Sequence, residues 1–569
     1  MVPECGAFPE NGGVRYRIWA PQIQNAVVEI ETESGEPKRR PLDRAGGFHE
    51  GFDPDGRAGD RYAFLLDGRG PFPDPASRAQ ARGVHGPSIV VDPTFAWTDR
   101  DWRRPAFRDL VIYELHLGTF TADGTFRAAA ERLPALAELG VNAIEILPIA
   151  DFPGDRNWGY DGVLPYAPAR CYGPPEDLRQ LVDRAHQCGL AIILDVVYNH
   201  LGPDGNYLAE FSPAYFTDRH HTPWGKALNF DGAESGPVRN FFCGNIRYWM
   251  DEFHIDGFRL DATHEIPDDS DPPILAEIAA LVQAAGGYVI AEDPRNDARL
   301  LEPREKRGFG LNAVWADDFH HAVRVGQTRE TSAYYGDFRG TLDEIVTALR
   351  EGWIYRGQYS PFMKSPRGTA GGHLPPEGFV HCISNHDQTG NRAGGERLNH
   401  LVSPAAYRAL SALLCLSPYT PLLFMGQEWA ASTPFLFFTD HNAELGRAIT
   451  AGRRREFSAF AEFADSAARR QIPDPQARAT FEKSKLRWSE AAGSPIRRLY
   501  QTCLGLRRER PGLRPRSREG WTVARLGSGV GAILSEEKDR RLAVIFELFS
   551  GHSFHPDDEP RLKLPAGQE

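Results

Sequence analysis

The chain has 569 residues, 41% of them hydrophobic and 25% charged, with a formal net charge of −12 at pH 7. At roughly 150 residues per domain the length allows about three or four domains, fewer if one is a large barrel, and the composition is that of a soluble protein with a sizeable core. No basic run is longer than the triplet 453–455, which argues against nucleic acid or an anionic membrane as the main partner, and no apolar stretch is long enough to span a bilayer. Seven cysteines (Cys5, Cys171, Cys188, Cys243, Cys382, Cys415 and Cys503) form no C-x-x-C pair, and their number is odd. With no secretory signal at the N-terminus, the expectation is reduced thiols in a cytoplasmic protein.

Residues 1–95 read as small β structure. Val14, Tyr16 and Ile18 alternate with Arg15, Arg17 and Trp19, and 26–30 and 62–66 are further strands between Gly, Pro and Asp clusters. Short strands with frequent turns predict an N-terminal β-sandwich. From 96 to 490 the pattern changes to strands alternating with helices. Strands are predicted at 110–117, 143–147, 191–197, 255–260, 288–291, 311–315, 379–383 and 421–425, with helices at 126–139, 176–188, 238–253 and 274–285. Eight βα units predict an α/β fold, a (β/α)8 TIM barrel. The alternative, an open doubly wound sheet, lacks its glycine-rich phosphate loop after the first strand. An insertion at about 201–236 is expected over the barrel mouth, and a helical extension at about 441–490. A helix and small β domain are expected over 491–569.

Active-site side chains of such barrels stand at the C-terminal ends of the strands. Those positions carry Tyr160 after strand two, Asp195, Asn199 and His200 after strand three, and Arg259, Asp261 and His264 after strand four. Glu292 follows strand five, and His386 and Asp387 follow strand seven. Arg259 and Asp261, two residues apart on a strand, share a face; alone, they read as a structural ion pair. Fold does not require acids at the same end of strands four, five and seven, and gathering like charges costs free energy unless some are paired or protonated. Three carboxylates and one arginine suit glycoside hydrolysis with retention. Asp261, beside its cation, is the expected nucleophile. Glu292, with no cation in its own strand, is the expected acid/base. Asp387 is expected to bind sugar hydroxyls, Tyr160 to stack on the sugar, and His200 and His386 to hydrogen-bond it; Asp195, Asn199, Arg259 and His264 complete the substrate-binding rim.

The blocks 195–200, 257–262, 290–293 and 384–387 resemble, in order and spacing, four motif regions of the α-amylase family of glycoside hydrolases. The resemblance spans the barrel and implies the roles just given to Asp261, Glu292 and Asp387. Within the family, the stretches 152–162, 200–207, 425–429 and 434–441 resemble trehalose-releasing members. Their neutral oligosaccharide substrate is maltooligosyltrehalose, supplied in the cytoplasm by a maltooligosyltrehalose synthase. A glycogen branching enzyme on the same barrel is the alternative, since both form the same intermediate and differ in what resolves it. A non-catalytic glycan-binding protein is a third reading, which the three intact carboxylates oppose. Asn199 matches a calcium ligand of true α-amylases, but further acidic ligands are not evident in 201–236. No metal and no cofactor are expected.

Overall fold

In the computed structural model, which describes residues 4–549 except 11, 460–462, 464, 528, 538 and 539, eight parallel strands close into a barrel. They are Ile112–Leu115, Ala143–Ile146, Ala191–Val196, Gly257–Leu260, Tyr288–Glu292, Ala313–Trp315, Phe379–Cys382 and Thr420–Phe424; each pairs with the next, and the last with the first. The closed ring excludes the open doubly wound sheet.

The barrel interior changes character along the strands with the two-residue period of a β-strand. Ile112, Ala143, Ile193, Ile290, Ala313 and Val380 belong to one apolar cluster across the barrel. Two residues further on, pointing to the same face, stand Glu114, Glu145, Asp195, Glu292, Trp315 and Cys382. Register places Glu145 opposite Glu114, and Asp195 opposite Arg259. A single pleat thus separates a dry floor from a belt that carries four carboxyl groups, Glu114, Glu145, Asp195 and Glu292.

One predicted helix is divided. Residues 126–139 form two short helices, Phe126–Ala130 and Leu133–Leu139, with Gly140 closing the second in the left-handed conformation at φ 104°. Pro134 lies in the first turn of the second helix. There its missing N–H is harmless, whereas inside one continuous helix it would remove a hydrogen bond and clash with the preceding turn.

The N-terminal strands build an eight-stranded antiparallel sheet. Its strand Lys38–Ala45 belongs to both halves: residues 38–42 pair with Ala26–Ile30 and 43–45 with Phe48–Asp53. The sheet folds over at that strand, and Tyr16 of one half meets Tyr62 of the other with ring centroids 5.1 Å apart. Within the insertion after strand three lie a short helix, Leu208–Phe211, and a hairpin, Phe216–Thr222 with Gly225–Leu228. Trp19 and Phe64 of the sheet pack on Tyr215 and Phe211 of this insertion, so the N-terminal sheet buttresses the insertion after strand three.

Helices Ala443–Glu456, Ser466–Arg470 and Arg478–Ser484 follow the last barrel strand. The chain continues through helix Pro495–Glu509 to a three-stranded antiparallel sheet, Trp521–Arg525, Val530–Glu537 and Arg540–Glu547. The remainder of the expected C-terminal domain, 550–569, lies outside the described residues. Among the described residues no helix is long and apolar enough to cross a membrane, and all seven cysteines are free.

Candidate active site

One guanidinium organises the belt. Arg259 is completely buried. Its Nη1 donates to Asp261 Oδ1 at 2.7 Å and to Asp195 Oδ2 at 2.8 Å, while Nη2 lies 3.6 Å from Glu292 Oε2. The ring of Trp315 faces it at 4.4 Å, which adds a cation–π contact. A buried charge of this kind is tolerated only when paired on several sides, and here three carboxyl groups share it. The sequence expectation treated Arg259 as the cation of Asp261 and left Glu292 without one in its strand. The neighbouring strand supplies it, because parallel register sets Arg259 beside Ile290, two residues before Glu292.

Glu292 is nevertheless pushed up to about 8. Burial is the main cause and outweighs the opposing pull of Arg259, and Asp261, Asp387 and Asp317 add to it. Its Oε2 accepts the backbone N–H of Ala262 at 2.6 Å, which leaves Oε1 to carry the proton. Ala262 adopts φ 39°, in the left-handed region, and a non-glycine residue there costs on the order of 1–3 kcal/mol. That strain sits between the two carboxylates of the expected chemistry.

Asp261 is held from two sides, by Arg259 on Oδ1 and by the Asn199 side-chain amide on Oδ2 at 2.7 Å. Asn199 therefore donates to the expected nucleophile. Burial pushes Asp195 up to about 6 against the pull of Arg259; it accepts the Tyr160 hydroxyl at 2.7 Å. Asp387 is the most open of the carboxylates, with a side chain 38% exposed, and it accepts Asn391 Nδ2 at 3.1 Å. His264 follows strand four in a short turn; burial lowers its pKa, and its Nδ1 has no hydrogen-bond partner. His200 pairs with Asn199 and with the carbonyl of Tyr160.

His386 departs from the expected picture of a free sugar ligand. Its Nδ1 and backbone N–H grip the two oxygens of Glu114 at 2.6 and 2.9 Å, and its Nε2 donates to the Tyr160 hydroxyl at 2.9 Å. Burial opposes the charge on this imidazole, but Asp387 and Glu114 outweigh it and raise the ring to about 9. The result is a chain of hydrogen bonds from Glu114 through His386, Tyr160 and Asp195 to Arg259. It fixes the direction of the Tyr160 proton, because an imidazolium can only donate to that oxygen. Glu114→Gln is expected to return His386 toward neutral imidazole and to lower kcat by about tenfold, the scale of losing one orienting hydrogen bond to a charged group. Histidine-ring NMR titration and steady-state rates at pH 7 check this.

Glu114 and Glu145 escaped sequence reasoning, although both carried a signal: a lone acid inside an otherwise apolar strand. Glu145 is fully buried with neither oxygen hydrogen-bonded, and burial next to Glu114 raises it well above the usual carboxylate range. Trp224 was missed for the opposite reason. It sits 52% exposed at the hairpin of the insertion, and its ring stacks on His200 at 4.1 Å; no local pattern announces a contact made across a loop.

The loops after strands two and eight, both among the stretches that carry the resemblance, join each other. Asp440 accepts from the Asp155 backbone at 2.9 Å and pairs with Arg156 at 2.5 Å. Trp158 Nε1 donates to the Leu436 carbonyl at 2.9 Å, and its ring stacks on Phe435. His441 lies 3.2 Å from Asp161. These contacts make one wall beside Tyr160.

The family model for "Alpha amylase, catalytic domain" matches residues 94–224. Over 530 residues the chain is 46% identical to the malto-oligosyltrehalose trehalohydrolase of Deinococcus radiodurans, covering 91% of this chain and 85% of that protein. The chain belongs to the malto-oligosyltrehalose trehalohydrolase family. It is a glycoside hydrolase of the α-amylase class. A 1,4-alpha-glucan branching enzyme of Geobacillus stearothermophilus is 36% identical over 262 residues, and the match covers only 41% of each chain. This partial match favours the trehalohydrolase reading over the branching alternative. The crystal structure of a candidate alpha amylase from Salmonella typhimurium superposes with a TM-score of 0.89 at 39% identity, covering 97% of this chain and 94% of that one.

Among the described residues of this trehalohydrolase-family chain, one cluster has metal-ligand chemistry. His220, Asp231 and Asp269 bring ligand atoms within 4.8 Å of one another. Arg219 already lies 3.2 Å from Asp231 and 3.6 Å from Asp269, so a cation of the protein itself occupies the role a metal would take.

Proposed function

We propose that this enzyme cleaves the α-1,4-glucosidic bond next to the terminal trehalose unit of maltooligosyltrehalose with retention, releasing trehalose. The single observation that carries the chemistry is the split environment of two carboxylates on one guanidinium. Asp261 has both oxygens held by donors, whereas burial keeps Glu292 protonated near neutrality. A nucleophile and a proton donor differ in that way.

In this reading Asp261 attacks the anomeric carbon of the maltooligosyl chain as Glu292 protonates the departing O4 of trehalose. The glycosidic bond breaks and a covalent glycosyl ester forms. Glu292, now ionised, takes a proton from water, and the hydroxide attacks the same carbon, freeing Asp261 and an α-configured maltooligosaccharide. Asp387 binds ring hydroxyls, His200 and His264 line the rim, and the rings of Tyr160 and Trp224 offer sugar-stacking faces. Asp195, Asn199, Arg259 and His386 hold the constellation rather than touch the bond. The enzyme is read as cytoplasmic, working beside a synthase that makes its substrate; the free cysteines support that compartment.

The test is a time course of maltooligosyltrehalose hydrolysis by proton NMR. Free trehalose together with an α-anomeric reducing end, mutarotating later, is expected. Branches formed in amylose with no trehalose released would sink the substrate assignment, and an initial β-anomer would sink retention.

A further inference from the structure

Strand six brings a fourth carboxylate to the barrel mouth. Ala313 and Trp315 face the barrel interior, both within the cluster that crosses it, and Asp317 is the next residue in that phase. It occupies the N-cap position of helix Asp318–Thr328, where an aspartate ordinarily accepts a hydrogen bond from the first helical turn. Its side chain makes no such bond. Among the described residues, the structure gives that carboxyl group neither a hydrogen bond nor an ion pair. Its neighbour Asp318 is the contrast: Oδ2 accepts the backbone N–H groups of Ile354 and Tyr355 and the Asn296 amide, and Oδ1 pairs with Arg367 at 2.8 Å. Asp318 holds the fold, and Asp317 is left over.

Strand six lies between strands five and seven in the barrel, which places Asp317 at the mouth between them. Burial raises Asp317 to about 7, Asp387 and Asp318 reinforce that, and Arg367 and Arg259 oppose it. It figures in turn among the groups that raise Glu292 and Cys382. Asp317 therefore stands beside the proton donor. A partly buried carboxyl group that forgoes a helix cap and gathers near other acids is costly for the fold alone. Hydroxyls that enter the site would give it partners.

Which sugar supplies them follows from the proton path. Asp261, Asn199, His200 and Tyr160 stand on strands two to four, around the ring that is attacked. Glu292 on strand five gives its proton to the departing oxygen, so the departing sugar lies toward strands five and six. We propose that Asp317 is a further substrate-binding residue, accepting hydroxyl hydrogen bonds from the leaving trehalose unit. This rests on the proposed trehalose-releasing activity and extends it to a residue on the leaving-group side.

The experiment compares inhibition constants of trehalose and of maltotriose for wild type, Asp317→Ala and Asp317→Asn, with maltooligosyltrehalose as substrate. In Asp317→Ala the constant for trehalose is expected to rise about tenfold or more, the scale of losing hydrogen bonds to a carboxylate, while that for maltotriose stays within about twofold. Should the alanine variant fail to fold, Asp317→Asn keeps the size and carries the same comparison, with a rise of about threefold expected. Unchanged trehalose inhibition overturns the proposal, as does an equal rise for both sugars. A role exerted only through Glu292 is likewise excluded or established here, since it would move the alkaline limb of the pH–rate profile and leave trehalose affinity untouched. If wild type releases no trehalose at all, the activity reading fails first and takes this inference with it.

Discussion

Asp261→Asn is expected to lower kcat by roughly 10⁴-fold or more with little change in the fold. The amide keeps the shape of the carboxylate but cannot form the glycosyl ester, so the step that divides one difficult displacement into two is lost. Structural damage should be slight for a reason visible in the site. Arg259 loses one of its partners but retains Asp195 at 2.8 Å and Glu292 at 3.6 Å, so no buried charge is abandoned. Single-turnover rates with maltooligosyltrehalose, read beside a thermal melt, separate the two effects. An active, unaltered variant would remove Asp261 from the mechanism; an inactive one that melts far below wild type would make the residue structural.

Glu292→Gln should cost about 10²–10⁴-fold, the range for a general acid, and should also erase a limb of the pH profile. With Glu292 raised to about 8, its proton is present below that value and lost above it, so wild-type kcat/KM falls as pH rises through about 8. Glutamine has no proton to lose, and the residual rate should be flat there. Stability runs with the same sign. A carboxyl whose folded pKa is raised above its unfolded value contributes stability that is fully present below the unfolded value and disappears as pH rises through the folded one. Glu292→Gln should therefore melt higher than wild type at pH 9, with the difference shrinking toward acid. A wild-type alkaline limb that survives the substitution would assign the proton to another group. Gain of stability on loss of function is the pattern expected where an active site keeps a group the fold would rather be without.

The barrel was legible because mostly apolar strands alternate with helices, as strands buried on both faces do, and because Gly140 and Gly189 stop helices where sequence says they should. The expected nucleophile Asp261, the expected acid Glu292 and Asp387 stand out in the sequence through their positions after strands. Their ionisation does not, since it depends on who shares Arg259. Glu292 looked free of cations in its own strand, yet the partner came from next door through parallel register. His386 was legible as a residue of the rim, but its grip on Glu114, 272 residues away in sequence, through both its nitrogen and its backbone was not. Sequence periodicity says which face a side chain takes; it does not say which group arrives opposite. The division of helix 126–139 was readable from Pro134 and was overridden by the apolar spacing around it.

The wall joining the loops after strands two and eight has a mechanical side. A barrel assembled from one chain has a single seam, where the first strand meets the last, here Ile112–Leu115 against Thr420–Phe424. The loops that leave strand two and strand eight arch over that seam from either flank, and Asp440 with Arg156, and Trp158 with Leu436, rivet them together. The parts resembling trehalose-releasing enzymes are thus a brace on the barrel's joint. A rim stiffened there cannot widen to admit a bulkier chain without opening the joint itself. Redesigning what this enzyme accepts is therefore expected to trade against how well its barrel stays shut, and the side left free to vary is the opposite one, at strands five and six, where the departing sugar is proposed to lie.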